Sequence, residues 1–86
     1  MTIELKKRFQ KRFDLLQPSL QEKVRERLQL FLIDPYDPVL NNHFLDGDYA
    51  GCRSINITGD YRAIYFESPK NHAAFLIMGT HPQLYG

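Results

Sequence analysis

The sequence predicts a two-layer α+β domain in which an N-terminal strand and a helix hairpin pack on an antiparallel sheet. Three observations predict it. Apolar residues recur every three to four positions over the first third of the chain, the spacing of amphipathic helices. After residue 51 the period shortens to two, the spacing of strands. Short clusters of Gly, Pro, Asn, Asp and Ser then separate one alternating run from the next. With 86 residues the chain has room for one domain, residues 1–86, around one core.

Ile3 and Leu5 alternate with polar residues and predict a short first strand. Phe9, Phe13 and Leu16 follow at helical spacing. Gln17-Pro18 ends that helix, because the residue before a proline is pushed out of the helical region. Ser19 and Glu22 have the spacing of a capping box and predict the start of a second helix. Its stripe is Leu20, Val24, Leu28, Phe31 and Leu32, and Asp34-Pro35 stops it. Residues 34–51 read as irregular, with Gly47 and Gly51 at turns. Residues 52–57 alternate, placing Arg53, Ile55 and Ile57 on one face and Cys52, Ser54 and Asn56 on the other. Thr58-Gly59-Asp60 reads as a hairpin turn and Tyr61 to Phe66 as the returning strand. After a turn at Ser68-Pro69-Lys70-Asn71, Ala73 to Met78 is almost wholly apolar and predicts a central strand. Both helices are expected on one face of the sheet, leaving the other as a shallow, open groove.

Composition excludes several classes. No apolar run approaches the about 20 residues of a membrane span, and the first residues lack the apolar stretch of a signal peptide. Cys52 is the only cysteine, so an internal disulfide is impossible and a Cys-based zinc site is not expected. These features predict a cytoplasmic protein without membrane contact. Net charge is +1 and uneven. Residues 1–33 carry eight Lys/Arg against four Asp/Glu, and residues 34–86 carry three against six. A basic helical half suits an acidic partner or a nucleic-acid backbone, or is simply a solvated face.

The chemistry-bearing residues lie in the second half. His43 and His81 occupy irregular stretches beside the sheet, and Asp60 sits at a hairpin tip before Arg62. If residues 81–85 form one helical turn, His81 and Tyr85 share a face. His72, at a turn-to-strand junction, reads as a surface residue, and Cys52 as a packed thiol. Provided the fold brings them together, His43, Asp60, His81, Tyr85 and Arg62 form a set suited to metal-free RNA cleavage; apart from one another, the two loop histidines are plain surface residues. A base takes the proton of the 2′-hydroxyl, an acid protonates the leaving 5′-oxygen, and a cation holds the phosphate. No short His spacing suggests a metal site, no Gly-rich loop a nucleotide cofactor, and none is expected.

Three segments resemble one family. Asn42-His43-Phe44-Leu45-Asp46-Gly47 through Gly51-Cys52-Arg53 is similar to the His-x-Leu-x-Gly … Gly-x-Arg segment of YafQ-like toxins of the RelE/ParE superfamily. Gly59-Asp60-Tyr61-Arg62-Ala63-Ile64-Tyr65 looks like the superfamily's strand motif. Gly79-Thr80-His81-Pro82-Gln83-Leu84-Tyr85-Gly86 resembles the Gly-Thr-His-x-x-Leu-Phe ending of the YafQ branch. The resemblance implies a RelE/ParE-like fold and a toxin that cuts mRNA on the ribosome without metal or cofactor. It also implies silencing by a cognate antitoxin in a heterotetramer or larger complex. By position it implies catalytic roles for His43, Asp60, His81 and Tyr85, and substrate contacts for Arg53, Asn56 and Arg62. Asn56 stands where the branch usually carries another histidine. An asparagine can hold a phosphate oxygen but cannot exchange a proton. Two alternatives share the fold, a ParE-like gyrase-inhibiting toxin and a catalytically weak antitoxin-binding protein.

Overall fold

A computed structural model describes residues 1–85. Gly86, the last residue of the ending quoted above, lies outside the described residues. The elements are strand β1 (Thr2–Leu5), helices α1 (Lys7–Asp14) and α2 (Pro18–Ile33), strands β2 (His43–Phe44), β3 (Arg53–Asn56), β4 (Tyr61–Ser68) and β5 (His72–Thr80), and helix α3 (His81–Tyr85). Two 3-10 turns, Pro38–Leu40 and Gly47–Tyr49, punctuate the stretch read as irregular, and β2 is a short strand the sequence reading did not include.

The sheet order is β1-β5-β4-β3-β2. Strands β2 to β5 pair antiparallel, whereas β1 pairs parallel to β5, in register from Thr2 with His72 to Leu5 with Phe75. The sheet is therefore mixed, and the apolar run in β5 is central because a strand covers it on each side. The helix hairpin supplies the connection from β1 and closes the layer above the sheet. Phe9, Val24 and Phe31 from the helices are fully buried with Ile55, Ala63, Tyr65, Ala73, Phe75 and Met78 from the strands. Phe31 meets Tyr65 and Phe75 edge-on, with ring centroids 4.9 and 5.3 Å apart, the geometry aromatic quadrupoles favour. The two helices also touch directly. Gln21 Nε2 donates to the Phe13 carbonyl at 2.9 Å, and the Arg25 guanidinium lies over the Phe13 ring.

Two expectations require correction. The Ser19–Glu22 capping box does not form, because α2 begins two residues earlier with Pro18 in its first turn and Gln17 as a cap without a side-chain bond. Proline suits that position, since its missing N–H would have had no helical acceptor. The face away from the hairpin is also not wholly open. Leu84 of α3 covers Ile64 and Ile77, with half-buried Leu45, Tyr49 and Cys52 packed around them. Burial there pushes the Cys52 thiol up, as expected of a packed cysteine.

A candidate RNA-cleaving cleft

Three local devices place the polar residues on the face opposite the hairpin. The first is the β3–β4 turn. Thr58 Oγ1 accepts from the backbone N–H of Asp60 at 3.3 Å and of Tyr61 at 3.1 Å. This hydroxyl-stabilised turn holds Asp60 exposed at the tip.

The second device starts α3. Gln83 N–H donates to Thr80 Oγ1 at 3.4 Å, and Thr80 N–H donates to Gln83 Oε1 at 2.8 Å. That reciprocal pair is a capping box, and it lies in the ending where the sequence reading did not look for one. It fixes His81 in the first turn. Gly79 allows the fold-back, since a Cβ there would stand 2.8 Å from Gln83 Oε1 and 3.0 Å from Arg12 Nη1. Four residues on from His81, Tyr85 returns beneath it, with ring centroids 4.7 Å apart. The conditional helical turn over residues 81–85 is thus present.

The third device is strand register. Asn56 pairs across the sheet with Arg62, and Arg62 with Gly79; His43 pairs with Ser54, and Ser54 with Ile64. Directly paired residues share a face, so Ser54, Asn56, Arg62 and His43 all belong to the α3 side. Among the described residues, Ser54 Oγ, Asn56 Oδ1 and Arg62 Nε are buried side-chain atoms without any protein hydrogen-bond partner. Buried polar groups are almost always paired. Three orphans on adjacent positions of one sheet face therefore mark a place built to hold something polar. The Tyr85 hydroxyl is turned toward Ser54 and Arg62 without closing a bond of ordinary geometry to the serine. Burial pushes that hydroxyl above the usual tyrosine value, although Arg62 and Ser54 pull the other way. Tyr85 is consequently a hydrogen-bond donor at neutral pH.

These elements bound a cleft of about 450 Å³ lined by Gly59, Asp60, Arg62, Thr80, His81 and Pro82. The structure thus brings Asp60, Arg62 and His81 together, with Tyr85 and Asn56 as their immediate neighbours. His43 does not line the cleft and stands on the same face at the β2 edge, half-buried. Its Nδ1 lies 2.8 Å from the Asn41 carbonyl. A carbonyl only accepts, so Nδ1 carries a proton, and in the neutral ring the lone pair is on Nε2. Arg53 is not brought to the cleft. Its Nε donates to Asn42 Oδ1 at 2.7 Å, and its guanidinium packs 4.0 Å from the Phe44 ring centroid on the other side of β3. The sequence reading missed Ser54, Thr80 and Arg12. Ser54 alternates in phase with Asn56, a signal that was available; Arg12 reaches Gly79 only through the packing of α1 on β5. His72 proves more tied than a plain surface residue, bridging Thr2 Oγ1 and Glu4 Oε1 across β1. Among the described residues no three His, Cys, Asp or Glu side chains converge as a metal site requires.

Searches of family models and of curated proteins found no match to this chain. Solved structures do match. YafQ from Escherichia coli superposes with a TM-score of 0.82 at 25% identity, over 98% of this chain and 97% of that one. A copper-bound mutant toxin from Helicobacter pylori gives 0.72 at 29% identity, over 99% of each chain. YafQ within the E. coli DinJ-YafQ toxin-antitoxin complex gives 0.79 at 25% identity, over 98% and 96%. The chain is thus similar, over nearly its whole length, to YafQ-like toxins of the RelE/ParE superfamily. The fold expected from the sequence is the fold observed. The match spans nearly the full length of these toxins. Among the described residues no helix is long and apolar enough to cross a membrane.

Proposed function

We propose that this chain is the toxin of a toxin–antitoxin pair, and that it cuts mRNA on the ribosome through the 2′-hydroxyl of the substrate. The observation that carries the reading is the set of unpartnered buried groups, Asn56 Oδ1, Arg62 Nε and Ser54 Oγ, beside the His81–Asp60 cleft. Arg62 supplies the cation that a scissile phosphate needs as charge develops on its oxygens. The Tyr85 hydroxyl, protonated at neutral pH as tyrosines are, adds a donor on the same side. His43 presents a free Nε2 on this face and takes the 2′-proton. His81, packed at a tilt against Tyr85 and without a protein hydrogen bond among the described residues, protonates the leaving 5′-oxygen. Asp60 lines the same cleft as His81. Asn56 holds a non-bridging oxygen through its amide N–H and does not exchange protons. Arg53 is left outside this step.

The partner follows from the neighbours. The complexed relative is bound to an antitoxin, and the basic helical half of this chain, eight Lys/Arg against four Asp/Glu, suits an acidic one.

The product ends test the reaction. Attack by the 2′-hydroxyl leaves a 5′-hydroxyl on one fragment and a 2′,3′-cyclic or 3′-phosphate on the other. A message with a 2′-deoxy sugar just 5′ of the scissile phosphate is therefore expected to bind and stay intact in a translation-coupled reaction. Cleavage of that substrate, or 5′-phosphate ends, would show the mechanism to be wrong.

A further inference from the structure

A second cleft, of about 210 Å³, opens at the β2 edge and is lined by Tyr36, Phe44, Gly51, Arg53 and Glu67. We infer that it is a base-recognition site selective for guanine, set apart from the cleavage chemistry. Arg53 lies between two aromatic rings, 4.0 Å from the Phe44 centroid and 5.3 Å from that of Tyr36. Both rings are unusually open for their type, Phe44 at 70% and Tyr36 at 58% exposure. One face of Phe44 is taken by the guanidinium, so the exposed remainder is a flat apolar platform on which a base stacks.

The arginine is pre-positioned. Its Nε donates to Asn42 Oδ1, and Asn42 is itself pinned by bonds from its Nδ2 to the Pro35 carbonyl and the Tyr65 hydroxyl. Among the described residues the two terminal amino groups of Arg53 make no hydrogen bond or ion pair, nor does the Glu67 carboxylate. The cleft thus offers a fixed pair of donors and a free acceptor beside a stacking surface. Guanine alone of the four bases matches both, with O6 and N7 accepting from arginine and the N1 and N2 hydrogens donating to a carboxylate. Adenine and cytosine present an amino group but lack this donor–acceptor division, and uracil has no amino group.

The site rests on the reading that RNA is the substrate, and it deepens it. Phe44 follows His43 directly on β2, so a strand lying across the cleavage face passes the platform as it leaves the sheet edge. One base would then be held by stacking while the phosphate beyond it sits over Arg62.

The test uses 5′-GMP, 5′-AMP, 5′-CMP and 5′-UMP as separate probes, titrated into the isotope-labelled protein. The expected result is movement of the Tyr36, Phe44 and Arg53 signals, strongest with GMP and absent with ribose 5-phosphate. Phe44→Ala, exposed and therefore not needed for folding, is expected to weaken GMP binding at least about fivefold. Glu67→Gln should erase the preference for GMP while leaving stacking in place. Equal response to all four nucleotides overturns guanine selectivity, and no response at these residues overturns the site and leaves the surface to a protein partner. Signals that move with GMP while no mRNA is cut would retain this site and remove the cleavage reading; the reverse pattern would remove this site alone.

Discussion

Ser54→Ala is expected to stabilise the fold while impairing its activity. Ser54 is fully buried on the sheet face that carries the cleft, and among the described residues its hydroxyl has no protein partner. Burying a hydroxyl without a hydrogen bond costs about 1–3 kcal/mol in protein mutational series. Removing it leaves a void of one oxygen, on the order of 10 Å³, which at ~24 cal/mol per Å³ costs only a few tenths of a kcal/mol. The balance favours alanine by about 1 kcal/mol, or a rise in Tm of about 4–8 °C for a domain of this size. Thermal and urea unfolding read the change, and an unaltered urea slope would show that the native state is the one affected. Cleavage in a translation-coupled assay should fall at the same time, because a polar group turned toward the Tyr85 hydroxyl is gone. A lower Tm would refute the reasoning, since it would mean that the hydroxyl is satisfied in the folded protein.

Other substitutions separate roles. His81→Ala should remove growth inhibition with the fold intact, because His81 is exposed and its ring packs against Tyr85 outside the core; a folded variant that stays fully toxic would take His81 out of the mechanism. Asn56→His should keep or raise cleavage, since Asn56 is paired with Arg62 on the cleft side and not packed under the helices; a loss of cleavage in a folded variant would show that the amide itself is required. Glu4 is held below its ordinary value, chiefly by hydrogen bonding to Lys6 and then to His72. A carboxylate with a lowered folded-state value adds stability above its unfolded value and loses it as pH falls through the folded one. Acid unfolding of Glu4→Gln should therefore show a smaller drop in Tm below about pH 4.5 than the parent, and an identical drop would show that the pair is too solvated to matter.

Much of this protein is legible in its sequence because the deciding physics is local. The stripe Val24, Phe31 and the alternation Ile55, Ile57 depend on backbone periods of 3.6 and 2, and the buried residues fall where those periods put them. Thr58-Gly59-Asp60 forms its turn because one hydroxyl bonds to amides two and three residues on. Tyr85 lies beside His81 because four residues make one helical turn. What tertiary structure alone decided is pairing between distant segments. That β1 lies parallel to β5 follows from the helix hairpin carrying the chain back, and no residue in β1 specifies it. That Arg62 and Asn56 share a floor without satisfying each other depends on cross-strand register. Arg53 and Asn56 are three residues apart, an odd step along a strand, so the pleat sends them to opposite faces. Their opposite faces were legible in the alternation; only the assembled sheet set Asn56 across from Arg62 and Arg53 between Phe44 and Tyr36.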